Sequence, residues 1–179
     1  CIDLGIISDV KASLKDALLK AVISCDIIVT SGGVSMGDAD HLKSILEEIG
    51  SIHFGRINMK PGKPTTFATI PRANCSCPTL VFALPGNPVS CIVTKTLFVD
   101  PALKALKGLS PEMAMASQLP VQITEDIKLD PERAEYHRAN IFLNVDVDGD
   151  GMSKFKANST GNQRSSRLLS MQGCNALLC

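Results

Sequence analysis

Apolar positions in the first part of the chain recur with two alternating periods. Residues 2–7 form a short apolar run of strand length, and Leu14, Leu18 and Val22 then recur every four positions, which gives a helix one apolar face. Ser13 stands at that helix's start with Asp16 three residues on, the layout of a capping box. A second strand is expected over 26–30. Leu42, Ile45, Leu46 and Ile49 supply a second helix with its buried stripe, and Gly50 ends it. Further strands are expected over 52–58, 65–70 and 80–84, the last two joined by a polar surface loop over 71–78. Pro88 suits the first turn of a helix, where its missing N–H costs nothing. Ile92, Val93, Leu97 and Phe98 continue that helix, Asp100-Pro101 kinks or restarts it, and Gly108 stops it.

Strands alternating with helices at this pace predict an α/β domain over residues 1–110, with a mostly parallel sheet in a three-layer α/β/α arrangement. Beyond Ser110-Pro111 the pattern changes. Strands are expected over 119–127, 136–145 and 152–157, in a partial β-rich C-terminal domain covering 111–179. Residues 146–151 begin like a calcium loop, but Ala157 stands where a bidentate Glu is required, so a hairpin turn is the reading. Residues 174–179 would begin a further strand, and the chain opens and closes on cysteine inside apolar stretches, as a piece of a longer protein would.

The most suggestive chemistry lies between the second strand and the second helix, in Thr30-Ser-Gly-Gly-Val-Ser-Met-Gly-Asp-Ala-Asp40. A strand feeding a glycine-rich turn that opens a helix leaves backbone N–H groups free to face an anion. Gly32 and Gly37 have the spacing of a P-loop, yet Asp38-Ala39 stands where Lys and Ser/Thr belong, which argues against ordinary nucleotide-triphosphate chemistry. Asp38 and Asp40 suit helix capping, and equally a divalent cation accompanying a phosphate. Downstream, Lys60 and Lys63 flank one Pro-Gly turn. Pro85-Gly-Asn-Pro88 follows a strand at the end where open α/β sheets place their ligands. His137 and Arg138 are neighbours on a strand, so alternation lets only one of them face a shared cleft.

Composition narrows the ligand. The 18 basic and 18 acidic side chains cancel, and one Tyr with no Trp leaves little for base stacking, so nucleic acid is not expected as a partner. No apolar run is long enough for a membrane span. Seven cysteines with no C-x-x-C pair fit free thiols in a reducing compartment, expected to be the cytoplasm. His41, His53 and His137 lie far from those cysteines in sequence, which disfavours a zinc site. The residues alone lead to an oxyanionic or phosphorylated ligand held in an α/β crevice.

Five stretches, in order, carry a resemblance. They are the loop at 30–40, Met59-Lys-Pro-Gly-Lys-Pro-Thr65, Leu84-Pro-Gly-Asn-Pro-Val-Ser90, Glu135-Tyr-His-Arg138 and Ser159-Thr-Gly-Asn-Gln-Arg-Ser-Ser-Arg-Leu-Leu-Ser-Met171. Together they resemble the molybdopterin molybdenumtransferase family, with its molybdenum-cofactor-biosynthesis fold. The resemblance implies that adenylylated molybdopterin and molybdate are substrates, that a divalent cation such as Mg2+ assists release of AMP, and that molybdenum is placed on the dithiolene sulfurs. It implies catalytic roles for Asp40, Lys60 and Lys63, with Asp38 and Asp40 as metal ligands. Thr30, Ser31, Gly32, Gly33 and Ser35 would hold the pterin-phosphate end. Pro64, Ser90 and Arg138 would complete the molybdate pocket with the lysines, Pro85 and Pro88 would shape its wall, and Ser165 would contribute from the second domain. A homodimer, further subdomains outside this chain and a fused or partner adenylyltransferase domain are also implied. Two other readings stand beside it: a gephyrin-like receptor-clustering scaffold, and a molybdopterin adenylyltransferase, whose Thr-Gly-Gly-Thr-Gly loop this chain lacks.

Overall fold

The computed structural model describes residues 1–34, 41–73, 75–144 and 154–179 of the chain. They form two compact units: unit 1 comprises Cys1–Ile57 and Gly62–Asn87, unit 2 comprises Asn58–Pro61 and Pro88–Cys179.

Unit 1 contains helices α1 (Lys11–Ser24) and α2 (His41–Ile49) and strands β1 (Ile27–Ser31), β2 (Ser51–Phe54), β4 (Thr66–Arg72) and β5 (Cys75–Leu84). Its sheet runs β1-β5-β4-β2. The parallel ladder is β1–β5, from Ile27↔Leu80 to Ser31↔Leu84. The other two ladders are antiparallel, a point on which the expectation of a mostly parallel sheet needs refining. Arg72 pairs with Cys75, a connection too short for anything but an antiparallel return. The expected loop over 71–78 therefore contributes largely to strands, and the register shift between Ile70 and Arg72 accommodates Pro71.

The helical stripes pack as their spacing predicts. Leu18, Ala21 and Val22 of α1 and Leu42, Ile45 and Leu46 of α2 share one core with Ile28, Ala68, Ile70, Val81 and Ala83 from one face of the sheet. On the opposite face the Phe67 ring lies between those of Phe54 and Phe82, with centroids 5.5 and 4.9 Å away. Both described helices of unit 1 thus cover a single face. Gly50 follows α2 directly, and only glycine fits there: a Cβ would meet the Thr69 carbonyl oxygen at 2.3 Å.

Two N-terminal expectations are corrected. Residues 2–7 form no strand, and Ile2, Leu4 and Ile6 are exposed, since no strand among the described residues offers them a ladder. Helix α1 starts before Ser13, with Val10 as N-cap and its carbonyl accepting from Leu14 N at 3.0 Å. Ser13 is no cap, and Asp16 instead pairs with Lys20 one turn on.

Unit 2 joins a helical segment to a β-rich part. Helix α3 (Pro88–Thr94) runs through a π-helical turn at Lys95–Val99 into α4 (Asp100–Leu106). The irregularity expected at Asp100-Pro101 is this wide turn. Pro101 has no N–H for an ordinary helical bond, and Asp100 N reaches back to the Lys95 carbonyl instead. Gly108, at φ +85°, closes the segment. After α5 (Pro111–Ala114), strands β6 (Gln122–Ile123), β8 (His137–Asn144), β9 (Lys154–Ser159) and β10 (Ala176–Leu178) form a sheet in the order β10-β8-β9-β6. A separate parallel pair joins β3 (Met59–Lys60) to β7 (Ala134–Glu135). The expected hairpin turn at 146–151 lies outside the described residues. Of the strand expected over 119–127, only β6 forms.

Candidate functional site

In unit 1 the two parallel strands finish side by side, and each runs into a glycine turn. Thr30 pairs with Ala83 and Ser31 with Leu84, after which Gly32 N donates to the Leu84 carbonyl at 3.0 Å. Gly32 and Gly33 adopt φ of +85° and +67°, a region that excludes most side chains. Gly86 sits against them: a Cβ on it would lie 3.4 Å from Gly32 Cα. The turns after β1 and β5, drawn from two separate sequence motifs, thus form one backbone surface beside the buried Pro85. Thr30 Oγ1 is buried there with no hydrogen-bond partner among the described residues. Ser35, Asp38 and Asp40, which the sequence assigned to the same place, lie outside the described residues. Lys63 is exposed and Pro64 half-buried, in a turn closed by Thr65 N on the Gly62 carbonyl at 3.0 Å.

Unit 2 holds Lys60 and Arg138. Lys60, on β3, directs Nζ to Glu135 Oε2 at 3.1 Å and to Asp130 Oδ2 at 3.7 Å. The β3–β7 pairing places these partners, since Lys60 lies opposite Glu135 in the register and Tyr136 N donates to the Lys60 carbonyl. Asp130 in turn accepts from Arg133, which holds its carboxyl well below the usual carboxylate range. Pro88 opens α3, as its missing N–H favours, and Ser90 is buried in that helix. Val89 N donates to the Ser165 carbonyl at 3.3 Å, so the Ser165 segment and the start of α3 do meet.

Arg138 is fully buried on β8. Its backbone N donates to Gln163 Oε1 at 2.7 Å, and its carbonyl accepts from Thr160 N and Thr160 Oγ1, each at 3.1 Å. Its Nε reaches Ser170 Oγ at 3.3 Å, while Nη1 and Nη2 have no partner among the described residues. Burial pushes this guanidinium below its usual value. The motif running from Ser159 to Met171 is thereby explained in part, because Thr160, Gln163 and Ser170 clasp Arg138 from three sides.

His137 and Arg138 point to opposite faces of β8, as strand alternation requires, so they do not share one cleft. His137 is buried too, with Nε2 2.7 Å from Ser159 Oγ and Nδ1 3.6 Å from Glu135 Oε1. Burial pushes its imidazole down, against a smaller upward pull from Glu135. Glu135, His137, Ser159, Thr160, Gln163, Ser170 and Asp130 are partners that sequence reasoning left without roles. One signal was available: Glu135 and His137 stand two apart on strand-like sequence, the spacing that puts side chains on one side. Among the described residues no cluster of His, Cys, Asp and Glu is arranged for a metal ion.

Comparisons with known proteins cover most of the chain. Residues 1–105 match the family described as "Probable molybdopterin binding domain", and residues 120–179 match the "MoeA C-terminal region (domain IV)". The chain is 47% identical to gephyrin of Dictyostelium discoideum over 97% of its own length and 26% of that protein's. It is 39% identical to the Drosophila melanogaster molybdenum cofactor synthesis protein cinnamon, over 99% of this chain and 28% of that protein. With a molybdopterin molybdenumtransferase of a Nostoc species it shares 33% identity over 97% of its length and 38% of that protein's. The crystal structure of the molybdopterin biosynthesis MoeA protein from Pyrococcus horikosii superposes with a TM-score of 0.60 at 29% identity, covering 97% of this chain and 37% of that one. The chain thus spans well under half the length of these relatives, and it belongs to the molybdopterin-binding domain family, continued by the MoeA C-terminal region.

Proposed function

We propose that this chain carries the molybdate- and pterin-phosphate-holding part of a molybdopterin molybdenumtransferase. The observation that carries the reading is Arg138, a fully buried guanidinium with both terminal nitrogens unpartnered among the described residues. Burying an uncompensated charge is costly, and an oxyanion accepting from the planar guanidinium fork offsets that cost with charge-assisted bonds. Molybdate, a tetrahedral dianion, presents the acceptor oxygens such a fork requires. Within unit 2, Lys60, Ser90 and Ser165 are assigned to the same substrate, with Pro88 at its wall; Lys63, Pro64 and Pro85 of unit 1 keep the roles that the resemblance implies. Thr30, Ser31, Gly32, Gly33 and Ser35 are assigned to the pterin phosphate, which the side-chain-free backbone of the glycine turn lets approach closely.

Asp38 and Asp40 provide hard oxygen donors of the kind Mg2+ takes, and the cation they would hold would neutralise charge on the phosphate as AMP leaves. The chain's own lysines would bind and orient the anionic substrates during transfer of molybdenum to the dithiolene sulfurs. In the whole protein we assign a homodimer, and a fused or partner adenylyltransferase domain as supplier of adenylylated molybdopterin. The cytoplasm, which keeps free thiols reduced, is the compartment we assign. The match to the MoeA C-terminal region supports this reading over an adenylyltransferase.

The test is molybdenum transfer from adenylylated molybdopterin, followed by AMP release, alongside molybdate binding by equilibrium dialysis. The isolated chain is expected to bind molybdate and to turn over far more slowly than a full-length relative. A chain that binds no molybdate contradicts the reading; turnover at the full-length rate contradicts the division of labour.

A further inference from the structure

The geometry points to Glu135 as a positioning residue that sets the Lys60 ammonium for the anionic substrate. Lys60 lies on a strand of only two residues, Met59–Lys60, too short to hold a four-carbon side chain by packing alone. Glu135, opposite it in the parallel ladder, is buried and has its Oε2 committed to two donors. Its Oε2 accepts from Lys60 Nζ at 3.1 Å and from Asp130 N at 2.8 Å, and its Oε1 faces His137 Nδ1 at 3.6 Å. His137 is fixed in turn by Ser159, through Nε2 and Oγ at 2.7 Å. Asp130 adds a second carboxylate at 3.7 Å from Lys60 Nζ and is itself tied to Arg133.

A lysine side chain loses considerable rotamer freedom when its ammonium is fixed. With the carboxylates taking that loss on folding, an arriving oxyanion meets an ammonium already in place. The charge arrangement makes the idea testable by sign. Glu135 is an anion near a proposed anion site, together with the cations Lys60, Arg133 and Arg138. If Glu135 acted only through its charge, removing that charge would tighten anion binding. If it positions Lys60, removing it weakens binding.

This inference rests on the assignment of Lys60 to the oxyanion substrate. The experiment is a double-mutant cycle on the full 179-residue chain, read as the dissociation constant for molybdate by equilibrium dialysis. Glu135→Gln is expected to weaken binding by about tenfold, the worth of one hydrogen bond to a charged group. In a Lys60→Met background the same substitution is expected to change nothing. Unchanged or tighter binding in Glu135→Gln overturns the inference, and so does an equal loss in the Lys60→Met background. If the unsubstituted chain binds no molybdate, the functional reading falls and this inference with it. Should Glu135→Gln fail to fold, the side-chain nitrogen NMR signals of the unsubstituted chain decide instead. An immobilised Lys60 ammonium supports positioning, and one as mobile as that of the exposed Lys104 refutes it.

Discussion

In unit 1 the interior is Leu18, Val22, Ile45, Leu46, Val81 and their apolar neighbours, and the buried polar residues are uncharged, among them Thr65, Thr66 and Thr79. In unit 2 the buried set includes Glu135, His137 and Arg138. The first unit presents its candidate site as backbone, through Gly32, Gly33 and Gly86 on a stiff apolar support. The second presents its site as charged side chains held by one another. A hydrophobic core is stable with or without a ligand, whereas a buried charge depends on its partners and on pH. The units should therefore respond to different perturbations.

The largest effect on stability is expected in the unit 1 core. Leu46→Ala removes a side chain with no exposed surface and should lower unfolding stability by about 2–5 kcal/mol, measured by urea denaturation. A loss under 1 kcal/mol would mean that this core is less closely packed than described. Gly50→Ala comes next, at about 1–3 kcal/mol, because the new methyl group must displace the β4 backbone at Thr69. Gly32→Ala should cost about 1–2 kcal/mol through its left-handed backbone alone, since a Cβ there meets nothing within 4 Å.

The smallest effect belongs to unit 2 and sharpens the comparison through pH. Burial lowers the His137 pKa below its ordinary 6.5, so the unfolded chain takes up this proton first as pH falls. Stability from this residue is in full effect above about pH 6.5 and is lost as pH drops from there through the folded value. Asp130, also held below its ordinary range, acts in the same direction at lower pH: it stabilises above the unfolded value and ceases to as it protonates. Thermal melts from pH 7.5 to 5 should show the His137 component, and His137→Gln should flatten that part of the curve. An unchanged slope in the variant would assign the sensitivity elsewhere.

The helices of unit 1 were legible because Leu14, Leu18, Val22 and Leu42, Ile45, Leu46 mark a buried stripe without reference to anything distant. The strand expected over 2–7 was not decided by its own residues, because a strand needs a neighbour to pair with. Ladder direction was equally hidden: the sheet's antiparallel members depend on Arg72 pairing with Cys75 inside a stretch whose polarity suggests a loop. At the site, the sequence singled out Arg138 and Lys60 through motifs. Their partners Gln163, Ser170 and Asp130 are joined to them by pairing across the fold, which no local pattern records.

The central claim is that Arg138 is built to receive molybdate, and one substitution tests it. Arg138→Met keeps an unbranched side chain in the space and removes the buried charge. Equilibrium dialysis with molybdate should show affinity falling by about a hundredfold or more, the worth of two charge-assisted hydrogen bonds. Thermal stability should hold or rise, because the substitution relieves the cost of burying that charge. Molybdate affinity unchanged in a folded Arg138→Met chain would contradict the account.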